Sequence, residues 1–222
     1  MEAIVPKKHW TVAIRINHWA MALAIFVLIG TGFLIAYPFT LQGGETWMKY
    51  SVGYIRFVHI LFGVFLALLF VWRVYLAFFS TFKADWKDLL AFTNIPNTIQ
   101  QIKFYLLIDK KGPPHTGLYG PMQSMAYLGL FGMVFLIVVT GLILMGAGYS
   151  TGLTSWFYAI LRPVESLLGG LASVRYIHHV LTWGFVLFIV VHVYMAFWYD
   201  AVLKEGTLSS MVSGFMYEKG EH

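Results

Sequence analysis

No cysteine occurs anywhere in the sequence. That absence excludes disulfides, thiolate-held iron–sulfur clusters and covalent haem attachment through Cys-x-x-Cys-His. Any redox metal must be held by histidine, methionine or carboxylates. Charge is scarce as well. Only 11% of the residues are Asp, Glu, Lys or Arg, against about 25% in an ordinary soluble domain. So few charges cover little surface, and most of this surface must meet something other than water. The low charge and the 59% apolar content together exclude a disordered chain. The formal net charge of +5 is spread along the chain rather than gathered in one patch, which argues against nucleic acid as a partner. No cleavable leader is visible. The first apolar run begins near Ile14, is long enough to span a bilayer and lacks a small-residue cleavage site, so a retained helix is expected.

Four segments rich in Leu, Ile, Val and Phe are long enough to cross about 30 Å of hydrocarbon. They run over residues 14–37, 57–79, 125–145 and 177–199. The expected fold is an all-α integral membrane four-helix bundle, a single membrane domain over residues 1–222. The connection 80–123 is long and polar, and within it Ile95, Ile99, Ile102 and Leu106 recur at helical spacing, as in a helix lying on the membrane surface. The connection 147–174 has few charges but carries Trp156, Phe157 and Tyr158, and reads as a loop against the opposite interface.

Lys and Arg give the orientation. Eleven (Lys7, Lys8, Arg15, Arg73, Lys83, Lys87, Lys103, Lys110, Lys111, Lys204 and Lys219) fall on the side of the termini and the long connection. Four (Lys49, Arg56, Arg162 and Arg175) fall on the other. The positive-inside rule makes the first side cytoplasmic, with both termini inside.

Eight histidines are present. His9, His115 and His222 fall in tails or loops and read as solvated. His18, His59, His178, His179 and His192 lie in or beside the spans, where a metal-binding group is a functional candidate by default. Topology sorts them by depth. His18 and His192 belong toward the cytoplasmic side; His59, His178 and His179 belong toward the periplasmic side. His178 and His192 are 14 residues apart, which at about 100° per residue leaves them on one helix face; His179 points elsewhere. Their rise is roughly 21 Å at about 1.5 Å per residue, room for one site in each leaflet. Two imidazoles per iron leave no open axial position and suit electron transfer. The reading is therefore two b-type haems, held by His59–His178 and His18–His192. Arg15, Arg56 and Arg175 flank these layers, where they can pair with haem propionates or anchor the interface. Gly30, Gly63, Gly141 and Gly184 lie inside the spans, where a backbone can approach a macrocycle or a neighbouring helix.

Arg15-Ile16-Asn17-His18-Trp19, with the apolar run to Gly30, resembles the first signature of the b-type cytochrome subunits of nickel–iron hydrogenases. Arg175-Tyr176-Ile177-His178-His179-Val180, then Trp183, Phe185, Phe188 and His192, resembles their second signature, with Tyr176 in place of a small residue. Gly53-Tyr54-Ile55-Arg56 and Met211-Val212-Ser213-Gly214 are similar to that subfamily too. The resemblance implies a subunit in the bacterial cytoplasmic membrane. It would anchor a periplasmic hydrogenase, made of a large nickel–iron subunit and a small iron–sulfur subunit, and pass its electrons to membrane quinone. His59 and His178 would hold the periplasmic haem, His18 and His192 the cytoplasmic one. Polar candidates for the quinone site are Asn17, Tyr75, Tyr119, Gln123, Tyr194 and Asp200. A periplasmic formate dehydrogenase as electron donor is the near alternative, since its cytochromes share Arg-x-x-His-Trp. A non-redox anchor or small transporter is the alternative of a different class.

Overall fold

A computed structural model describes residues 4–37, 50–79, 90–109, 120–149 and 151–219. In chain order these form strand β1 (Ile4–Lys8), helices α1 (Val12–Ala36) and α2 (Ser51–Phe79), a short turn of 3₁₀ helix (Ala91–Thr93), and helix α3 (Ile95–Tyr105). Helices α4 (Pro121–Gly146), α5 (Leu153–Leu167), α6 (Leu171–Leu203) and α7 (Thr207–Ser213) follow, then strand β2 (Phe215–Lys219).

The four expected spans are α1, α2, α4 and α6, with 25, 29, 26 and 33 residues. Each satisfies its own backbone internally, the condition for crossing lipid. In no span is more than 17% of the most apolar stretch buried inside the protein, a surface suited to lipid rather than water. Each of the four spans starts earlier than its apolar pattern indicates. The hydropathy marks only the part in hydrocarbon, whereas backbone hydrogen bonding carries the helix on through polar residues. Pro121 opens α4, a position where its missing N–H costs nothing. The chain is an integral membrane protein.

The described chain clusters into two compact units, 1–19 with 72–131 and 188–222, and 20–71 with 132–187. Each long helix contributes residues to both.

In the first unit, β1 pairs antiparallel with β2, from Ile4 opposite Lys219 to Lys8 opposite Phe215. Trp10, Ile14 and Leu76 form its buried core, packed by Ala13, Trp72, Tyr127 and Met211. The Arg73 guanidinium lies 5.4 Å from the centre of the Tyr127 ring, a cation–π contact. Helix α3 turns Ile95, Ile99, Ile102 and Leu106 outward and buries Gln101 and Phe104. Its terminal carbonyls find donors: Trp198 Nε1 donates to Phe104 O at 3.1 Å and Tyr194 Oη to Tyr105 O at 2.8 Å.

In the second unit, Ala24, Leu66, Leu69, Val134, Ile143, Val174 and Phe185 are buried. The connection read as a loop carries helix α5 instead. Its exposed Leu153, Trp156, Ile160 and Leu167 recur at helical spacing. It packs closely on α4, for a Cβ added at Gly146 would lie 2.6 Å from Tyr158 Cβ.

Candidate functional site

Each unit brings one pair of membrane histidines together. In the first unit the His18 and His192 ring centres are 6.2 Å apart, with planes inclined by 51°. In the second the His59 and His178 ring centres are 6.4 Å apart, inclined by 69°. A metal–imidazole nitrogen bond is about 2.0 Å long. The ring centre lies about 1.1 Å beyond that nitrogen, so two imidazoles on opposite sides of one iron have centres about 6.2 Å apart. Both pairs hold that spacing. Hydrogen-bonded or stacked rings would sit closer.

The donor set is equally restrictive. No group of three or more His, Cys, Asp or Glu gathers among the described residues. A metal that takes three or four ligands from protein side chains has no site there. Two facing imidazoles would be the protein's share for an iron held otherwise by a porphyrin. The residues present therefore fit haem b at both pairs.

The surroundings of the pairs differ. His59 Nδ1 lies 2.8 Å from Thr31 Oγ1 on α1, and His178 Nδ1 lies 2.8 Å from Thr140 Oγ1 on α4. The next residue in each case is glycine. A Cβ at Gly32 would lie 3.4 Å from His59 Cε1, and one at Gly141 would lie 3.4 Å from His178 Cε1. Of the glycines singled out in the sequence, only Gly141 touches a paired ring. Gly30 has nothing within 4 Å, Gly63 faces Leu28 and Gly184 faces Met133. His179 is not in a pair. Its ring contacts Phe33 and Tyr37, with centres 5.9 and 6.0 Å away.

The His18 pair is framed by rings and by the chain ends. Phe188 stacks on His192, with centres 5.5 Å apart and planes 8° from parallel. Trp19 Nε1 donates to Met211 O at 2.9 Å, and an Arg15 nitrogen donates to Val212 O. Backbone N–H groups of His9 and Trp10 donate to Gly214 O at 2.8 and 3.1 Å. The free carbonyls at the C-terminus of α7 are thus held by side chains on either side of His18. Gly214 has φ 89°, and a Cβ there would lie 3.0 Å from Trp10 O, so glycine is required twice over. Within this unit His18 Nδ1 and Arg15 Nε are buried without a hydrogen-bond partner among the described residues.

The described polar candidates also belong to the first unit. Asn17 is 1% exposed, while Tyr75 and Tyr194 are exposed. Gln123 Oε1 accepts from Gly120 N at 3.1 Å. Asp200 Oδ1 accepts from Thr207 N, the first residue of α7, and so satisfies one of that helix's free N–H groups. Tyr119 lies outside the described residues. Arg56 and Arg175 each stand three residues before a paired histidine on the same helix.

Residues 9–214 match the sequence profile of prokaryotic cytochrome b561. The chain belongs to that family. Among b561 relatives it is 33% identical to a protein of Azotobacter vinelandii named probable Ni/Fe-hydrogenase B-type cytochrome subunit, over 94% of this chain and 87% of that one. A protein of the same name from Bradyrhizobium diazoefficiens is 30% identical, over 90% of this chain and 82% of that one. A probable Ni/Fe-hydrogenase 1 B-type cytochrome subunit of Escherichia coli K12 is 24% identical, over 93% and 88%. A b-type cytochrome of this family binds haem b, the group that the paired imidazoles fit.

Proposed function

We propose that this cytochrome carries two b haems, anchors a periplasmic nickel–iron hydrogenase to the bacterial cytoplasmic membrane, and passes its electrons to membrane quinone. The carrying observation is the pair of imidazole separations, 6.2 and 6.4 Å, each matching one iron between two rings. The names of the b561 relatives support hydrogenase as the donor. Its small iron–sulfur subunit would dock at the end that holds His59 and His178, with the large nickel–iron subunit beyond. Residues 1–222 form one membrane domain in this reading, a single family match running over residues 9–214. The distribution of Lys and Arg supports both termini in the cytoplasm.

Haem b bound at each pair would supply a one-electron carrier. The protein's part is to hold, orient and enclose. His59 and His178 would hold one group; His18 and His192 would hold the other. Arg56 and Arg175 share a helix face with their histidines at i, i+3 and are placed to pair with propionates. Arg15 stands in the same position before His18. Quinone reduction belongs to the His18–His192 end, among Asn17, Tyr75, Tyr119, Gln123, Tyr194 and Asp200, with protons drawn from the cytoplasm.

The test is to purify the intact complex and replace one histidine at a time. His59→Ala and His178→Ala should abolish hydrogen-dependent quinone reduction while leaving hydrogenase activity with a soluble dye intact. Full quinone reduction in both variants refutes the assignment. Molybdenum or tungsten in place of nickel in the purified complex would move the donor to formate dehydrogenase.

A further inference from the structure

Thr31-Gly32 on α1 and Thr140-Gly141 on α4 repeat one arrangement around the second histidine pair. Each is followed, on the next span, by Arg-x-x-His: Arg56 to His59 on α2 and Arg175 to His178 on α6. In both copies the threonine oxygen sits 2.8 Å from the histidine Nδ1, and the glycine clears space for the ring edge.

A threonine hydroxyl has one proton and two lone pairs. Thr31 directs its proton to the Val27 carbonyl at 2.7 Å, and Thr140 directs its own to the Leu136 carbonyl at 2.8 Å. With that proton engaged, each oxygen offers His Nδ1 only a lone pair. The oxygen facing each Nδ1 therefore calls for N–H, and a neutral imidazole protonated on Nδ1 keeps its free lone pair on Nε2.

We propose that Thr31 and Thr140 are positioning residues that fix His59 and His178 in the Nδ1-protonated form and aim both Nε2 lone pairs at one haem iron. The proposal rests on the haem reading above and assigns two residues to it. Hydrogen bonding at Nδ1 also makes the imidazole a stronger donor to the metal, which favours the oxidised iron. In the first unit no hydroxyl takes that role for His18, whose Nδ1 is without a partner among the described residues. The threonines thus act on one haem and leave the other as an internal control.

The experiment uses the purified full-length cytochrome. Haem is first counted in the wild type; none at all removes the haem reading and this proposal with it. With haem present, the wild type is compared with Thr31→Val, Thr140→Val, the double valine variant and the two serine variants. Redox titration, low-temperature electron paramagnetic resonance and haem loss to excess apomyoglobin are followed. The valine variants should move one redox component to higher potential, alter one low-spin signal and speed its haem loss by about tenfold. The second component should stay unmoved, and serine should behave as the wild type. Unchanged potentials, spectra and loss rates in the double valine variant overturn the proposal. If the valine variants fail to accumulate in the membrane, alanine and serine are compared at the same positions. Alanine shifted and serine unshifted supports the lock; the two alike overturns it.

Discussion

Replacing the small glycines beside the histidines tests the haem geometry without touching a ligand. Position 141 offers the sharpest case. A Cβ there would lie 3.4 Å from His178 Cε1, at the near edge of ordinary contact, so alanine should be tolerated. Valine adds two γ-carbons about 1.5 Å farther out, and in a helix its χ1 is held to one main rotamer. It cannot turn both carbons away, so the ring must tilt from its partner. Overpacking of this kind costs about 1–3 kcal/mol, which corresponds to a loss of haem affinity of about 5- to 150-fold. Gly32→Val should act similarly through His59, whose Cε1 is also 3.4 Å from the added Cβ. Gly30→Val supplies the control, since nothing lies within 4 Å of a Cβ there. The assay is haem retained per chain in detergent-purified protein, with the low-spin spectrum as a second readout. Equal haem retention in Gly141→Val, Gly32→Val and Gly30→Val would refute the reasoning.

Two further expectations concern the first unit. Asp200 accepts from Thr207 N at the start of α7, so Asp200→Ala should cost about 1–3 kcal/mol, read as a lower midpoint for thermal unfolding. Asp200→Asn keeps an oxygen acceptor for that N–H. Its quinone reduction should stay within about twofold, whereas a much larger loss would show that the carboxyl handles protons. Burial pushes the Tyr105 phenol up to about 12, against an opposing hydrogen bond with Gln101. The unfolded chain releases this proton near 10 while the folded chain keeps it, so this group's contribution to stability falls as pH rises from about 10 to 12. The difference in phenolate absorbance between wild type and Tyr105→Phe should therefore appear only above about pH 11; titration near 10 would contradict it.

The four spans were legible because lipid demands long apolar runs and leaves few other readings. The approach of the histidines in pairs was legible because depth and helical phase are arithmetic on residue numbers, and the same phase set His179 off the face that His178 shares with His192. The helix ends were not, because backbone hydrogen bonding continues where hydropathy stops. Helix α5 was missed because few charges and the aromatic run Trp156, Phe157 and Tyr158 resemble a loop at the interface; the spacing of Leu153, Trp156, Ile160 and Leu167 was its signal. Thr31 and Thr140 were missed for a different reason. A threonine in a membrane helix normally bonds its own turn, and nothing in one sequence position says that a ring waits on the neighbouring helix. The repeat of Thr-Gly in the first and third spans, matched by Arg-x-x-His in the second and fourth, was the available clue. Met211 to Gly214 looked only like a tail motif until the carbonyls of Met211, Val212 and Gly214 were seen bonded to Trp19, Arg15 and the backbone of His9 and Trp10.

The central claim is that each histidine pair is the axial set of one haem. A pyridine-haemochrome assay on the purified chain, with protein quantified independently, tests it most directly. The account predicts two b haems per chain and a low-spin bis-imidazole spectrum. A folded chain with no haem would contradict it outright, and a single haem would remove one of the two pairs.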